Sequence, residues 1–277
     1  MTATASQAHA GIPPNAGGVE IARDGRVAIL TMARPEKRNA LSGAMLSELQ
    51  KALDDALCDG GVRAIVIAAK GPVFSSGHDL KEITAHRQDA DKGRAFTQAL
   101  MAQCSQLMRT IVASPKPVVA AVQGIASAAG CQLVASCDLA VAAETAQFCT
   151  PGVNIGLFCS TPMVALSRNV SRKRAMEMLL LGEMLPAREA ADYGLVNKVV
   201  PVDRVMDAAM DFARRIASKP PVTVATGKIA FYRQVEMPLA EAYDYAAAVM
   251  VENMLHAESE EGIGAFVEKR PPNWDKA

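Results

Sequence analysis

The chain has 277 residues, half of them apolar, with 29 basic residues against 29 acidic ones. That length fills one large domain or two small ones and can bury a sizeable core. The balanced charge speaks against the basic face that nucleic-acid binding calls for, and no apolar run reaches the roughly 18 residues of a membrane span. Neither nucleic acid nor membrane is therefore expected as a partner. Residues 1–18 contain no Lys or Arg and are rich in small residues, Pro and Gly; they read as a disordered tail, not as a secretory or transit leader. Cys58, Cys104, Cys131, Cys137, Cys149 and Cys159 form no Cys-x-x-Cys pair. Zinc is not expected, and reduced cysteines in a cytoplasmic protein are the simplest reading.

In chain order, "VEIA" and "VAILTM" flank "RDGR", an Asp-Gly hairpin signal. After the polar loop "ARPEKRNALS", Ser42 is placed to cap a helix over 43–58, whose Met45, Leu46, Leu49, Leu53, Ala56 and Leu57 recur at helical spacing. Strand "RAIVIAA" leads to a loop, "KGPVFSSGHDLKEI", and then to a helix over 92–113. Strand "PVVAAV" runs into "GIASAAGC", strand "DLAVAA" follows, and then comes "AQFCTPGVNIGLF". From Thr161 helices are predicted over 161–168, 172–181, 186–193, 202–218, 221–234, 238–255 and 259–269, interrupted by a strand in "LVNKVV". The result is an α/β chain of β-β-α winding with a helical C-terminal third. Its continuously apolar strands imply burial on both faces. It contains no G-x-x-x-x-G-K-[ST] and no G-x-G-x-x-G, so nucleotide-hydrolysing and Rossmann readings lack support.

Two strand-to-loop junctions are built from small residues, "FSSGHDL" (74–80) and "GIASAAGC" (124–131). A helix starting after Ser127 presents unpaired N–H groups at its positive end. With methyl groups or hydrogens around them, these could reach a carbonyl oxygen, and an N–H from the first junction would complete a two-donor oxyanion hole. Tight strand–helix packing explains the same small residues equally well.

"ARPEKRNALS", "FSSGHDLKEI", "AVQGIASAAGCQLVASCDLAVAAETAQFCTPGVNIG", "LLLGEMLPAREAADYGLVNKVVP" and "GIGAFVEKRPPNW" resemble, in order, the blocks of the enoyl-CoA hydratase/isomerase (crotonase) superfamily, from about Val19 to Trp274. The resemblance implies a crotonase-like spiral of β-β-α turns over 19–200 that binds a coenzyme A thioester, and a helical oligomerisation region over 201–277. By the same resemblance, His78 and Ala129 supply the backbone donors for the thioester oxygen. Lys37, Arg38, Ala40 and Leu41 lie along the CoA moiety, in the segment that also holds Asn39. Ser76, Asp79 and Leu80 border it, and Lys269 reaches it, often on a neighbouring subunit. The usual assembly is a homotrimer or a dimer of trimers. CoA enters as part of the substrate, and neither metal nor redox cofactor is expected.

The chain departs from that pattern at both hydratase glutamates. One position is Gln132, the other Gly152, and Glu144 lies outside both motifs. An amide cannot exchange a proton near neutral pH, and a positioned acid or base is worth about 10²–10⁴-fold. Thioester binding and enolate stabilisation are therefore expected to survive, while classical hydration, as a lyase or isomerase of this type performs it, is doubtful. Two alternatives stand beside an acyl-CoA-processing enzyme. One is a catalytically silent acyl-CoA-binding protein; the other is a decarboxylase or thioesterase using His78 or bound water. Of the remaining side chains, Glu82 and His86 read as solvated. Cys131, Cys149 and Cys159 read as small hydrophobes and Ser127 as a helix cap. Met101, Met108, Met163, Met176 and Met178 are either core or the lining of an adaptable pocket.

Overall fold

The computed structural model describes residues 18–274; all of the expected N-terminal tail except Gly18 lies outside them. The chain opens with the predicted hairpin. β1 (Val19–Asp24) pairs antiparallel with β2 (Val27–Met32), and the turn uses Gly25 at φ +56°. α1 (Gly43–Cys58) starts where expected, the Ser42 hydroxyl accepting from the Met45 N–H at 3.2 Å. It buries Met45, Leu46, Leu49, Ala52, Leu53 and Ala56, one stripe of a 3.6-residue period.

Three β-β-α turns then follow. β3 (Ala64–Ala69) and β4 (Val73–Ser75) precede α2 (Leu80–Ala85) and α3 (Arg94–Ala113). β5 (Val118–Val122) and β6 (Ile125–Ser127) precede α4 (Ala129–Ser136). β7 (Leu139–Ala143) and β8 (Gln147–Cys149) precede α5 (Pro162–Asn169) and α6 (Arg172–Leu181). The first strand of each turn joins a six-stranded sheet and the second a smaller one. Adding β9 (Leu185–Pro186), α7 (Ala187–Asp192) and β10 (Lys198–Val200), the orders are β1-β2-β3-β5-β7-β10 and β4-β6-β8-β9. All pairs beyond the hairpin in the large sheet are parallel. β5 is buried throughout and β3 nearly so, as the unbroken apolar runs require. The second sheet is what the sequence reading misses: strands of two or three residues are too short to show a period.

α8 (Val205–Ala217) lies on the large sheet against β2, β3, β5 and β7. α9 (Pro221–Gln234), α10 (Leu239–Met254) and α11 (Ala257–Val267) pack on one another, and α9 also reaches α3. One buried cluster ties this lobe to the spiral. The Lys228 ammonium, 9% exposed, pairs with Asp138 at 2.7 Å and donates to Ile111 O, Ser114 Oγ and Lys116 O. Asp138 also accepts from the Val118 N–H and the Tyr232 hydroxyl. Burial lowers the Lys228 pKa and Asp138 opposes the shift. The far end of the lobe is fastened by Glu258, whose carboxylate caps the first turn of α9 at Val222 and Thr223.

Removing one partner of a buried ion pair typically costs about 3–5 kcal/mol, because the other charge is left uncompensated. Lys228→Met is expected to lose that much in denaturant unfolding, whereas Lys51→Ala, at the exposed Lys51–Asp55 pair, loses under about 1 kcal/mol. Equal losses would mean that the Lys228 cluster does not anchor the lobe.

Candidate active site

The site lies where the chain leaves the C-terminal ends of β2, β3 and β5, and its first component is a clamp between two loops. Arg38 and Asn39 both adopt left-handed backbone, φ +53° and +48°, which Asn tolerates better than most residues. Asn39 is fully buried. Its Oδ1 accepts from the Arg34 N–H at 2.9 Å, and its Nδ2 donates to Lys70 O and Val73 O at 2.9 and 2.8 Å. Ser75 Oγ donates to Asn39 O, the Ser76 N–H to Arg38 O and the Leu41 N–H to Gly77 O. The predicted CoA-contact residues thus converge from two loops. Arg34, Lys37, Ala40, Ser42, Glu48 and Asp79 border one cavity of about 130 Å³. Lys37, Arg38 and Leu80 are exposed, whereas Leu41 is wholly core. Asp79 caps α2 through the Lys81 and Glu82 N–H groups. Lys269, just past α11, is exposed and forms no hydrogen bond with these loops among the described residues.

The second component is the approach of α4 to the 75–77 loop. A Cβ at Gly77 would lie 2.9 Å from Ala128 Cβ, 3.0 Å from Ser127 O and 3.3 Å from Ala129 N. One at Gly130 would lie 2.5 Å from Ser75 O. The segments carrying the His78 and Ala129 amides therefore touch, and only glycine permits the contact. Neither amide donates a hydrogen bond among the described residues. The turn into α4 is strained: Ala128, a non-glycine residue, holds φ +50° and ψ −115°, a conformation that costs on the order of 1–3 kcal/mol. Its N–H donates to Cys149 O, and its own carbonyl accepts from the Gln132 N–H. Ser127 is not the expected cap. It lies in β6 opposite Cys149, and Ala128 takes the N-cap position without a side-chain bond.

His78 Nδ1 is 3.1 Å from Leu41 O. A carbonyl can only accept, so Nδ1 carries the hydrogen and Nε2 the lone pair. Nε2 is buried and unpartnered among the described residues, as is Gln132 Oε1. Burial lowers the His78 pKa, while the Leu41 bond and the Glu82 charge act the other way. Glu82 is not the solvated group expected, since its carboxylate accepts from the Gly43 N–H and so bridges α2 to α1. His86 stacks on Phe96 and pairs with Asp89.

Gly152 is buried, and a Cβ there would lie 2.8 Å from Leu157 O and 2.9 Å from Cys159 Sγ. The position lacks room for a side chain as well as a carboxylate. Cys131, Cys149 and Cys159 lie near one another, and burial raises all three thiol pKa values, so none is an activated nucleophile. Met108 and Met178 are core, while Met163 and Met176 are exposed; they do not line one pocket. Glu144 follows β7 and is exposed. The sequence reading missed the bonding role of Asn39 and the ring-fixing role of the Leu41 carbonyl. A larger cavity of about 710 Å³, bordered by Asp24, Arg26, Arg63, Arg214 and Trp274, lies at the opposite strand ends and contains none of the predicted site residues. Among the described residues no group of three or more His, Cys, Asp or Glu is placed to hold a metal ion, and no helix is long and apolar enough to cross a membrane.

Residues 22–277 match the family model "Enoyl-CoA hydratase/isomerase". The human "Enoyl-CoA hydratase domain-containing protein 3, mitochondrial" is 48% identical over 245 residues, which is 88% of this chain and 79% of that protein. A Thermus thermophilus "Putative enoyl-CoA hydratase" is 36% identical over 90% of this chain and 98% of its own. The crystal structure of the human protein superposes with a TM-score of 0.88 at 44% identity, covering 93% of this chain and all of the other. An enoyl-CoA hydratase from Mycobacterium smegmatis gives 0.88 at 47% identity, covering 93% and 99%. These relatives correct the expected cytoplasmic location, because the rat, human and mouse proteins at 47–48% identity are named mitochondrial. Free cysteines, buried except for Cys58, carry no information on compartment. Fold, family model and relatives agree that this chain is a member of the enoyl-CoA hydratase/isomerase (crotonase) superfamily.

Proposed function

We propose that this chain is an acyl-CoA-processing enzyme in which the main-chain N–H groups of His78 and Ala129 hold the thioester oxygen. The observation that carries this reading is the contact that glycine alone allows, at Gly77 and Gly130, between the two segments bearing those amides. Lys37 and Arg38, exposed at the rim, suit the phosphates of CoA. Ala40, Ser76, Asp79 and Leu80 would follow the rest of the carrier, and Lys269 would reach it from the lobe. CoA is then part of the substrate, and the chemistry needs neither a metal nor a resident cofactor. Each main-chain donor is worth about 10²–10³-fold in stabilising a developing enolate. Water addition through a carboxylate pair is not available to Gln132 and Gly152, so the reaction is enolate chemistry other than fast hydration. Leu239 and Tyr243 on α10, Leu255 just after it and Phe266 on α11 are 75%, 71%, 77% and 84% exposed. Such apolar surface supports self-association, and a homotrimer or a dimer of trimers is the assembly proposed.

Titration calorimetry is expected to give micromolar binding of butyryl-CoA. Gly77→Ala should abolish that binding, while Gly25→Ala, also at positive φ but with nothing within 4 Å of its Cβ, should only lower stability by about 1–2 kcal/mol. Undiminished binding by Gly77→Ala would refute the two-amide site. Hydration of crotonyl-CoA is expected at least roughly 10²-fold below that of a hydratase with both glutamates, and rates matching such an enzyme would show that Gln132 and Gly152 are no handicap. Light scattering should give a mass three or six times that of the chain, with Phe266→Lys and Leu255→Lys shifting it downward. A monomer at micromolar concentration would rule the assembly out.

A further inference from the structure

We propose that the cavity at the opposite strand ends is a second ligand site and takes a nucleoside diphosphate, with the flat base against Trp274 and the phosphates against Arg26 and Arg63. The inference stands apart from the thioester reading, since no residue borders both this cavity and the one between the CoA-contact loops. The cavity measures about 710 Å³, inside the roughly 300–1,000 Å³ of small-molecule sites. Its cations come from separate segments. Arg26 precedes β2, Arg63 precedes β3, and Arg214 lies in the last turn of α8. Arg26 and Arg63 are matched in register, because Val27 pairs with Ala64 and the Arg63 N–H donates to Arg26 O at 2.7 Å. Adjacent strands lie about 4.8 Å apart, so two cationic residues take neighbouring positions at one sheet edge. Like charges so placed repel, and a bound polyanion replaces that repulsion with attraction. Guanidinium groups also match phosphate oxygens with planar, two-pronged hydrogen bonds.

The aromatic wall is held in place before any ligand arrives. Trp274 is half-buried, and a Cβ at Gly262 on α11 would lie 3.0 Å from its Cη2, so the missing side chain lets the indole lie against the helix. The segment leading to it is pinned to the same helix. The Asn273 N–H donates to Glu261 Oε1 at 2.7 Å, and Arg270 donates to both oxygens of that carboxylate. A wall already ordered spares the ligand that entropic cost. An indole stacks on the flat face of any nucleobase, a contact that inorganic phosphate or an aliphatic dicarboxylate cannot use. Two features oppose an anion. Asp24 borders the cavity, and the C-terminal end of α8 carries partial negative charge. Arg214 answers both, its Nε donating to Asp24 Oδ2 at 3.0 Å. Three guanidinium groups against one carboxylate leave the cavity cationic. With no G-x-x-x-x-G-K-[ST] in the sequence, the role assigned is binding, and no bond is made or broken.

Trp274 is the only tryptophan in the sequence, so tryptophan emission reads this cavity directly. ADP is expected to change the emission saturably, with a midpoint below about 1 mM. Adenosine, which lacks the phosphates, and inorganic pyrophosphate, which lacks the ring, should each bind at least roughly tenfold more weakly, and pyrophosphate should displace ADP. Arg26→Ser and Arg63→Ser should each weaken ADP binding by roughly tenfold or more. Arg87→Ser, at an exposed arginine that does not border the cavity, should leave it within about twofold. A midpoint above about 1 mM, adenosine binding as tightly as ADP, or an undiminished response in both cavity variants would each overturn the proposal. If those variants do not fold, the wild-type ranking of ADP, adenosine and pyrophosphate decides. Calorimetry with butyryl-CoA tests the thioester site separately, so either site can fail without the other.

Discussion

The site depends on one close approach, the first turn of α4 lying against the loop that follows β4. The two amides proposed for the thioester oxygen, one at the start of α4 and one on the loop, can serve a ligand only if no side chain separates them, and the backbone at Gly77 and Gly130 leaves no space for a Cβ. The approach has an energetic cost. Ala128 is held in a conformation that a residue with a side chain adopts rarely, and the surrounding structure must offset about 1–3 kcal/mol. It does so from both sides. β5, entirely buried, fixes the entry to the turn, and Ala128 is bonded through its N–H to β8 and through its carbonyl to α4. The Asn39 clamp does the same for the other loop, where two consecutive left-handed residues are compensated by the three side-chain bonds of one buried amide.

How much of this is legible in the sequence depends on length scale. The six strands of the large sheet and the long helices are set by apolar periodicity extending over five or more residues in nearly every case, and α1 appears with both its stripe and its Ser42 cap. The small sheet is not legible, because Val73–Ser75, Ile125–Ser127 and Gln147–Cys149 are strands by virtue of their neighbours, with no local pattern of their own. The same holds within the site. Small residues in "SSGHDL" and "SAAGC" indicate that something comes close, yet tertiary contact decides what. Ser127 had the right chemistry for a cap, but the strand pairing of β6 with β8 claimed it first. Glu82 looked solvated because nothing local marks its bond to Gly43, 39 residues away.

The helical lobe shows a division between its base and its outer surface. At the base, Lys228 satisfies carbonyls at the end of α3 and the carboxylate of Asp138, and Asp138 in turn holds the Val118 N–H that starts β5. The lobe is thereby coupled to the strand that leads into the strained turn at Ala128, so its anchoring and the site share one strand. The outer surface, with Leu255 and Phe266 more than three-quarters exposed, gains little stability within a single chain. A lobe fixed at its root by polar groups and left apolar outside supports the self-association proposed above.

The two departures from the hydratase pattern are different in kind. Gln132 lies in the buried first turn of α4 with an amide oxygen that no donor reaches among the described residues. At Gly152 no side chain fits, because a Cβ would meet the Leu157 carbonyl and the Cys159 sulphur. The two main-chain donors proposed for the thioester oxygen depend on neither position, because substitution of a side chain leaves its amide N–H in place. Such donors support negative charge developing on a thioester oxygen whatever side chains surround them, whereas water addition needs in addition a group to deprotonate the nucleophile.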